Sequence, residues 1–207
     1  MRPMSGPSPT YRVIALLSRP LVFGLFRLEA RGRERLPGSG FVLAANHLSN
    51  LDPWALGIPL FPHRWLRFMA KSELYWWPLG PLLNLGGAFP VRRGEGDVEA
   101  IAKAVELARV GEIVVMFPEG TRRKKGLKKT RQARPHTGAV RVAMEAGVPL
   151  VPAALAGTDR LSRLGPLRVA YGTPVELGDL RDRDVRKAAE IGTERLMAAI
   201  AELEQAL

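Results

Sequence analysis

Cysteine is absent from the 207 residues. Its absence excludes a thiol nucleophile, a disulfide framework and a thiolate zinc site, so covalent or metal chemistry would fall to other side chains. Histidine is nearly as scarce. Its three copies, His47, His63 and His136, are scattered and offer no ligand cluster, so neither a metal nor a cofactor is expected. Long uncharged apolar runs are missing too. The N-terminal apolar region, residues 11–28, is interrupted by Arg12, Arg19, Pro20 and Arg27, whereas a spanning helix needs about 20 largely uncharged residues. The same region lacks a clean apolar stretch with a small-residue cleavage site, so a secretory signal is not expected. Acids are outnumbered. Twenty Asp and Glu face 31 Lys and Arg, giving a formal charge of +11, which predicts an anionic partner: nucleic acid, anionic lipid or a phosphorylated substrate.

With 46% hydrophobic residues, the chain can bury one sizeable core. Residues 1–28 are expected to form a membrane-associating helical segment, and residues 29–207 an α/β domain. Val13, Ile14, Leu16, Leu17, Leu21, Val22, Phe23, Leu25 and Phe26 supply the first part with apolar material, as two short amphipathic segments broken near Pro20. A helix packed on the core reads the same pattern equally well.

Beyond residue 40, short apolar runs alternate with helical patterns, which predicts a mostly parallel, twisted sheet flanked by helices. Strands are expected at 41–45, 66–70, 88–91, 113–117, 150–155 and 167–171. A helix is expected over 97–110, with Asp97 as N-cap, Val98, Ile101, Val105 and Ala108 on one face and Gly111 as stop. Another is expected over 136–146. The last 25 residues place Val185, Ala189, Leu196, Ile200 and Leu203 at helical spacing, as a helix covering the sheet. Functional groups in such a sheet collect at the carboxyl ends of its strands.

The loop after the first of these strands carries His47 and Asp52. On an ideal helix that spacing would separate them by roughly 140°, so only a turn can bring them together. If they meet, the carboxylate fixes the imidazole tautomer and frees the other ring nitrogen to take a proton from a hydroxyl. Asp52 before Pro53 is also a good N-cap for a helix over 53–58, and both roles are compatible. The second constellation, Phe117-Pro118-Glu119-Gly120-Thr121-Arg122, follows the apolar run 113–116. On a tight loop at a strand end, a guanidinium can hold a phosphate in bidentate fashion, and a carboxylate can take a hydroxyl or order the arginine.

Together these strings resemble the glycerolipid acyltransferase family that includes bacterial 1-acylglycerol-3-phosphate acyltransferases. His47 to Asp52 matches its H-x4-D motif, and Gly87-Ala88-Phe89-Pro90-Val91-Arg92-Arg93 looks like its second block. Phe117 to Arg122 matches the third block, and Val151-Pro152-Ala153-Ala154 resembles the fourth. The resemblance implies the fold of the glycerolphosphate acyltransferases. It also implies direct transfer of a fatty acyl group from acyl-CoA or acyl carrier protein to the sn-2 hydroxyl of 1-acylglycerol-3-phosphate, giving phosphatidic acid. Glycerol-3-phosphate or another lysolipid is the alternative acceptor. By the same resemblance His47 is the general base and Asp52 its partner. Arg93, with Arg92 as the less favoured choice by spacing, joins Glu119, Gly120, Thr121 and Arg122 at the acceptor phosphate. His136 departs from the family, which often has another basic residue there ahead of the glycine.

Trp76 and Trp77 head the densest aromatic patch, residues 71–83, expected either to line an acyl channel or touch lipid, or to form a core helix kinked at Pro78. Eight basic residues, Arg122, Arg123, Lys124, Lys125, Lys128, Lys129, Arg131 and Arg134, fall within thirteen positions free of acid. Such a run attracts anionic lipid, CoA phosphates or an acidic carrier protein. The rival class, a nucleic-acid-binding module, is disfavoured because the aromatics are not interleaved with the basic residues. A hydrolase is disfavoured because no G-x-S-x-G elbow is present. The expected location is peripheral or monotopic, on the cytoplasmic face of the cell membrane.

Overall fold

The computed structural model describes residues 7–91, 98–120, 122 and 135–207. Among these residues seven strands form one sheet: β1 (Glu29–Arg31), β2 (Phe41–Ala45), β3 (Leu66–Lys71), β4 (Ala88–Val91), β5 (Ile113–Met116), β6 (Leu150–Ala156) and β7 (Arg168–Tyr171). Their order is β1-β7-β6-β2-β5-β3-β4, and every neighbouring pair is parallel except β6 and β7. The expected mostly parallel sheet is therefore the observed one, with β1 as an added short edge strand too brief to show a period in the sequence. All five residues of β2 are buried because both of its faces are covered. Phe41, Leu43 and Ala45 enter one apolar cluster, and Val42 and Ala44 enter the other.

Of the helices α1 (Pro9–Arg19), α2 (Asp52–Gly57), α3 (Leu79–Leu85), α4 (Val98–Arg109), α5 (Gly138–Ala146) and α6 (Val185–Gln205), the last three cover the second cluster. Ile101, Val105 and Ala108 face it as their spacing predicts. Val98 and Val185 do not, being 72% and 74% exposed, because each is the first residue of its helix and projects past the sheet. The helix expected from 136 begins at Gly138, since the backbone N–H of His136 is held by the Pro118 carbonyl at 2.7 Å. Asp97 lies outside the described residues. Asp184 caps α6, its carboxylate accepting from the N–H groups of Arg186 and Lys187.

The N-terminal segment covers the first cluster. Helix α1 (Pro9–Arg19) is capped by Ser8, whose hydroxyl accepts from the Tyr11 N–H at 3.0 Å. The chain does not break at Pro20, contrary to the expectation from sequence. It continues over Pro20–Leu25 with the wider π winding, and the Phe26 N–H reaches the Leu21 carbonyl. Pro20 lacks an N–H and its ring crowds the preceding turn, and a widened turn relieves both without ending the helix. One face of this segment buries Ala15, Val22 and Phe26 against the sheet. The other leaves Val13, Leu16, Leu17, Leu21, Phe23 and Leu25 exposed. No helix among the described residues is long and apolar enough to cross a membrane.

Candidate active site

Three adjacent central strands, β6, β2 and β5, end side by side, and their carboxyl ends carry the site. From β2 the chain enters the loop 46–51, which leads into helix α2 (Asp52–Gly57). A turn, closed by the Asp52 N–H on the Ser49 carbonyl at 3.2 Å, folds the loop back. His47 Nδ1 thereby comes within 2.7 Å of Asp52 Oδ2. The same oxygen accepts the backbone N–H groups of Leu48 at 2.7 Å and Ser49 at 2.9 Å. The other oxygen, Oδ1, accepts the Thr158 hydroxyl at 2.6 Å. Four donors thus converge on one fully buried carboxylate.

The expectation that Asp52 is the N-cap of α2 is corrected here. Leu51 occupies the cap position, and Asp52 is the first helical residue. Its oxygens turn back to the loop and to Thr158, so they serve the turn that carries His47 and not the first turn of the helix. With Oδ2 accepting, the shared proton is assigned to Nδ1, and His47 keeps Nε2 as its lone-pair nitrogen. The imidazole stacks on Phe117, with centroids 4.1 Å apart and planes 16° from parallel. Its side chain is 16% exposed, enough for a substrate atom to reach one edge.

Phe117 opens the loop after β5, and its carbonyl accepts the Gly120 N–H at 3.0 Å, closing a turn. Gly120 adopts φ +68°, and a Cβ there would collide with the His136 ring, so glycine is required on both counts. His136 therefore lies against the loop that carries Glu119. Arg122 is exposed and Glu119 half-buried. Arg93 and Thr121, and the basic residues 123–134, lie outside the described residues.

Thr158 escaped the sequence reading, and nothing in a lone threonine marks it. The nearest signal is Gly157, whose φ of +94° and close approach to the Pro166 carbonyl make the turn that aims Thr158 at Asp52. Asn46 was legible only as part of the motif. It is buried, and its carboxamide pairs with the Leu155 backbone at 2.8 and 3.0 Å. Trp76 and Trp77 are 59% and 80% exposed, which removes the kinked core helix as a reading of residues 71–83. They precede helix α3 (Leu79–Leu85), which also exposes Leu82 and Leu85. A hydrogen bond from the Ser8 hydroxyl to the Leu85 carbonyl, 3.0 Å, sets α3 beside the start of α1. Among the described residues no group of three or more metal-ligating side chains occurs.

A mostly parallel sheet with a His–Asp pair at the carboxyl end of a central strand is the arrangement that the sequence motifs of an acyltransferase predict. A profile of the acyltransferase family matches residues 27–156, and the chain belongs to that family. It is 34% identical to the 1-acyl-sn-glycerol-3-phosphate acyltransferase of Bacillus subtilis, over 87% of this chain and 89% of that protein. It is 31% identical to the chloroplastic 1-acyl-sn-glycerol-3-phosphate acyltransferase BAT2 of Brassica napus, over 70% of this chain and 41% of that one. The fold resembles the crystal structure of the 1-acyl-sn-glycerophosphate acyltransferase PlsC from Thermotoga maritima, with a TM-score of 0.64 and 22% identity. That match covers 93% of this chain and 78% of the other.

Proposed function

We propose that His47 is the general base of an acyl transfer to 1-acyl-sn-glycerol-3-phosphate, the reaction by which this chain makes phosphatidic acid in phospholipid biosynthesis. The observation that carries the assignment is the 2.7 Å contact between His47 and the buried Asp52, inside the region that matches the family. A thioester is already activated, so the protein has chiefly to position two substrates and deprotonate the attacking hydroxyl. Nε2 of His47 takes the sn-2 proton as the hydroxyl oxygen attacks the thioester carbonyl. The tetrahedral adduct collapses with cleavage of the C–S bond, and the departing thiolate receives the proton from the imidazolium. Asp52 holds the ring and stabilises its transient charge. No bond to the enzyme forms.

Arg122 and Glu119, with Gly120, Thr121 and Arg93, receive the acceptor phosphate in this reading. The tight turn 117–120 and the guanidinium chemistry of the arginines support it. The donor is acyl-CoA or acyl carrier protein. The exposed apolar faces of α1 and of the Trp76-Trp77 segment, joined through Ser8 and Leu85, dip into the membrane surface from which the lipid acceptor is collected. The basic run 122–134 adds attraction to anionic headgroups, which supports a peripheral location on the cytoplasmic face.

An acceptor panel tests the chemistry. Purified chain in detergent, given acyl-CoA or acyl carrier protein, should acylate 1-acylglycerol-3-phosphate faster than glycerol-3-phosphate or a lysolipid without a terminal phosphate. Preference for a phosphate-free acceptor would overturn the site. For the membrane face, Leu16→Ser with Leu17→Ser should weaken sedimentation with neutral vesicles even at high salt, because apolar insertion is not screened. Unchanged binding would make the exposed face incidental.

A further inference from the structure

The catalytic loop has an anchor on the face of the sheet opposite His47. Alternation along β2 sends Phe41, Leu43 and Ala45 to the cluster beneath α1 and α2, and Val42 and Ala44 to the cluster beneath α4, α5 and α6. Asn46 continues the second series and His47 the first. The Asn46 carboxamide accordingly reaches α6, where Nδ2 donates to Glu204 Oε1 at 2.7 Å. Glu204 stands one helical turn beyond the buried Ile200, on the side of α6 that faces the sheet.

Asn46 does more than meet Glu204. The last backbone pairing between β2 and β6 is Ala45 with Ala153, and the Asn46 side chain extends it. Its Oδ1 accepts the Leu155 N–H and its Nδ2 donates to the Leu155 carbonyl. Leu155 lies three residues before Thr158, so this side chain sets the separation of the two loops that deliver His47 and Thr158 to Asp52. Both Nδ2 protons are used only when Glu204 accepts one of them.

We propose that Glu204, in the last turn of α6, is a positioning residue that holds Asn46 and through it the spacing of the His47 and Thr158 loops. The proposal rests on His47 acting as the base. Without Glu204, a buried amide proton loses its acceptor, and Asn46 can satisfy it only by leaving Leu155. Misplacement of a catalytic group by about 1 Å can cost up to about 100-fold in rate.

Glu204→Ala should lower kcat about tenfold, within that range, while both KM values stay nearly constant. Glu204→Gln keeps an acceptor oxygen and should restore most of the rate. In an Asn46→Ala background, Glu204→Ala should have no further effect, since the shared path is already cut. The NMR signals of the His47 ring should broaden in Glu204→Ala and recover in Glu204→Gln, a readout independent of turnover. Full kcat and unchanged ring signals in Glu204→Ala would overturn the positioning role, as would an undiminished Glu204 effect in the Asn46→Ala background. Wild-type turnover by His47→Ala would overturn the underlying reading of the base instead.

Discussion

At the carboxyl ends of β6, β2 and β5, Asn46, Asp52 and Thr158 are buried and each side chain is hydrogen-bonded, Asp52 to Thr158 and His47, Asn46 to Leu155 and Glu204. At the amino ends of β3 and β5, Arg64 Nη1, Arg67 Nε and Glu112 Oε2 are buried without a hydrogen-bond partner among the described residues. Arg67 Nε lies 3.1 Å from Glu112 Oε2, an ion pair in distance but not in alignment. Burial pushes the Glu112 carboxyl up, more than the nearby Arg67 and Lys103 charges pull it down. Both ends bury polar groups. Only the carboxyl end converts the desolvation cost into a fixed geometry, the geometry that the proposed proton transfer at His47 requires.

The largest effect is expected at the carboxyl end. His47→Ala should lower kcat by about 10²–10⁴-fold with the fold retained, by steady-state kinetics alongside circular dichroism. Asp52→Asn comes next. It keeps the shape but replaces one accepting oxygen with a donor facing other donors, so activity should fall and stability with it, seen as a lower midpoint in urea. Thr158→Val strips one donor from the buried carboxylate and should cost about 1–3 kcal/mol, with a smaller loss of rate than Asp52→Asn. Equal activity and stability in that variant would show that the fourth donor is idle.

The smallest effect lies at the other end. Because the Glu112 pKa is raised in the folded state, the native protein holds this proton at pH values where the unfolded chain has released it. Glu112 therefore costs stability progressively as pH rises from its ordinary value of 4.5 through its raised native value. Glu112→Gln removes the titration. Its stability relative to wild type should grow across that window, as followed by urea denaturation at several pH values, and a constant difference would contradict the assignment.

The sequence was most informative where one residue type has one geometric meaning. The apolar runs marked six strands to within a residue at either end, and β2 and β4 matched to the residue. Gly147 ended α5 in the left-handed conformation that glycine favours. His47 and Asp52 were legible because an imidazole and a carboxylate five residues apart have few other reasons to coincide with family motifs. Thr158 and Glu204 were not. Each comes from a part of the chain more than 100 residues away from its partner, and only the strand order β6-β2-β5 and the packing of α6 bring them in. The π winding after Pro20 was hidden for another reason: a proline in a helical pattern reads as a break, and tertiary packing of Val22 and Phe26 decided otherwise.

A His47 that acts as the base of a direct transfer forms no bond to the acyl group. Purified chain supplied with a thioester donor alone, and then with 1-acyl-sn-glycerol-3-phosphate, tests it by intact-protein and lipid mass spectrometry. Donor alone should leave the protein mass unmodified. Adding acceptor should then release phosphatidic acid and free thiol in equal amounts, a release missing from His47→Ala. A protein mass increased by one acyl group on His47, or phosphatidic acid formed by His47→Ala at the wild-type rate, would contradict it.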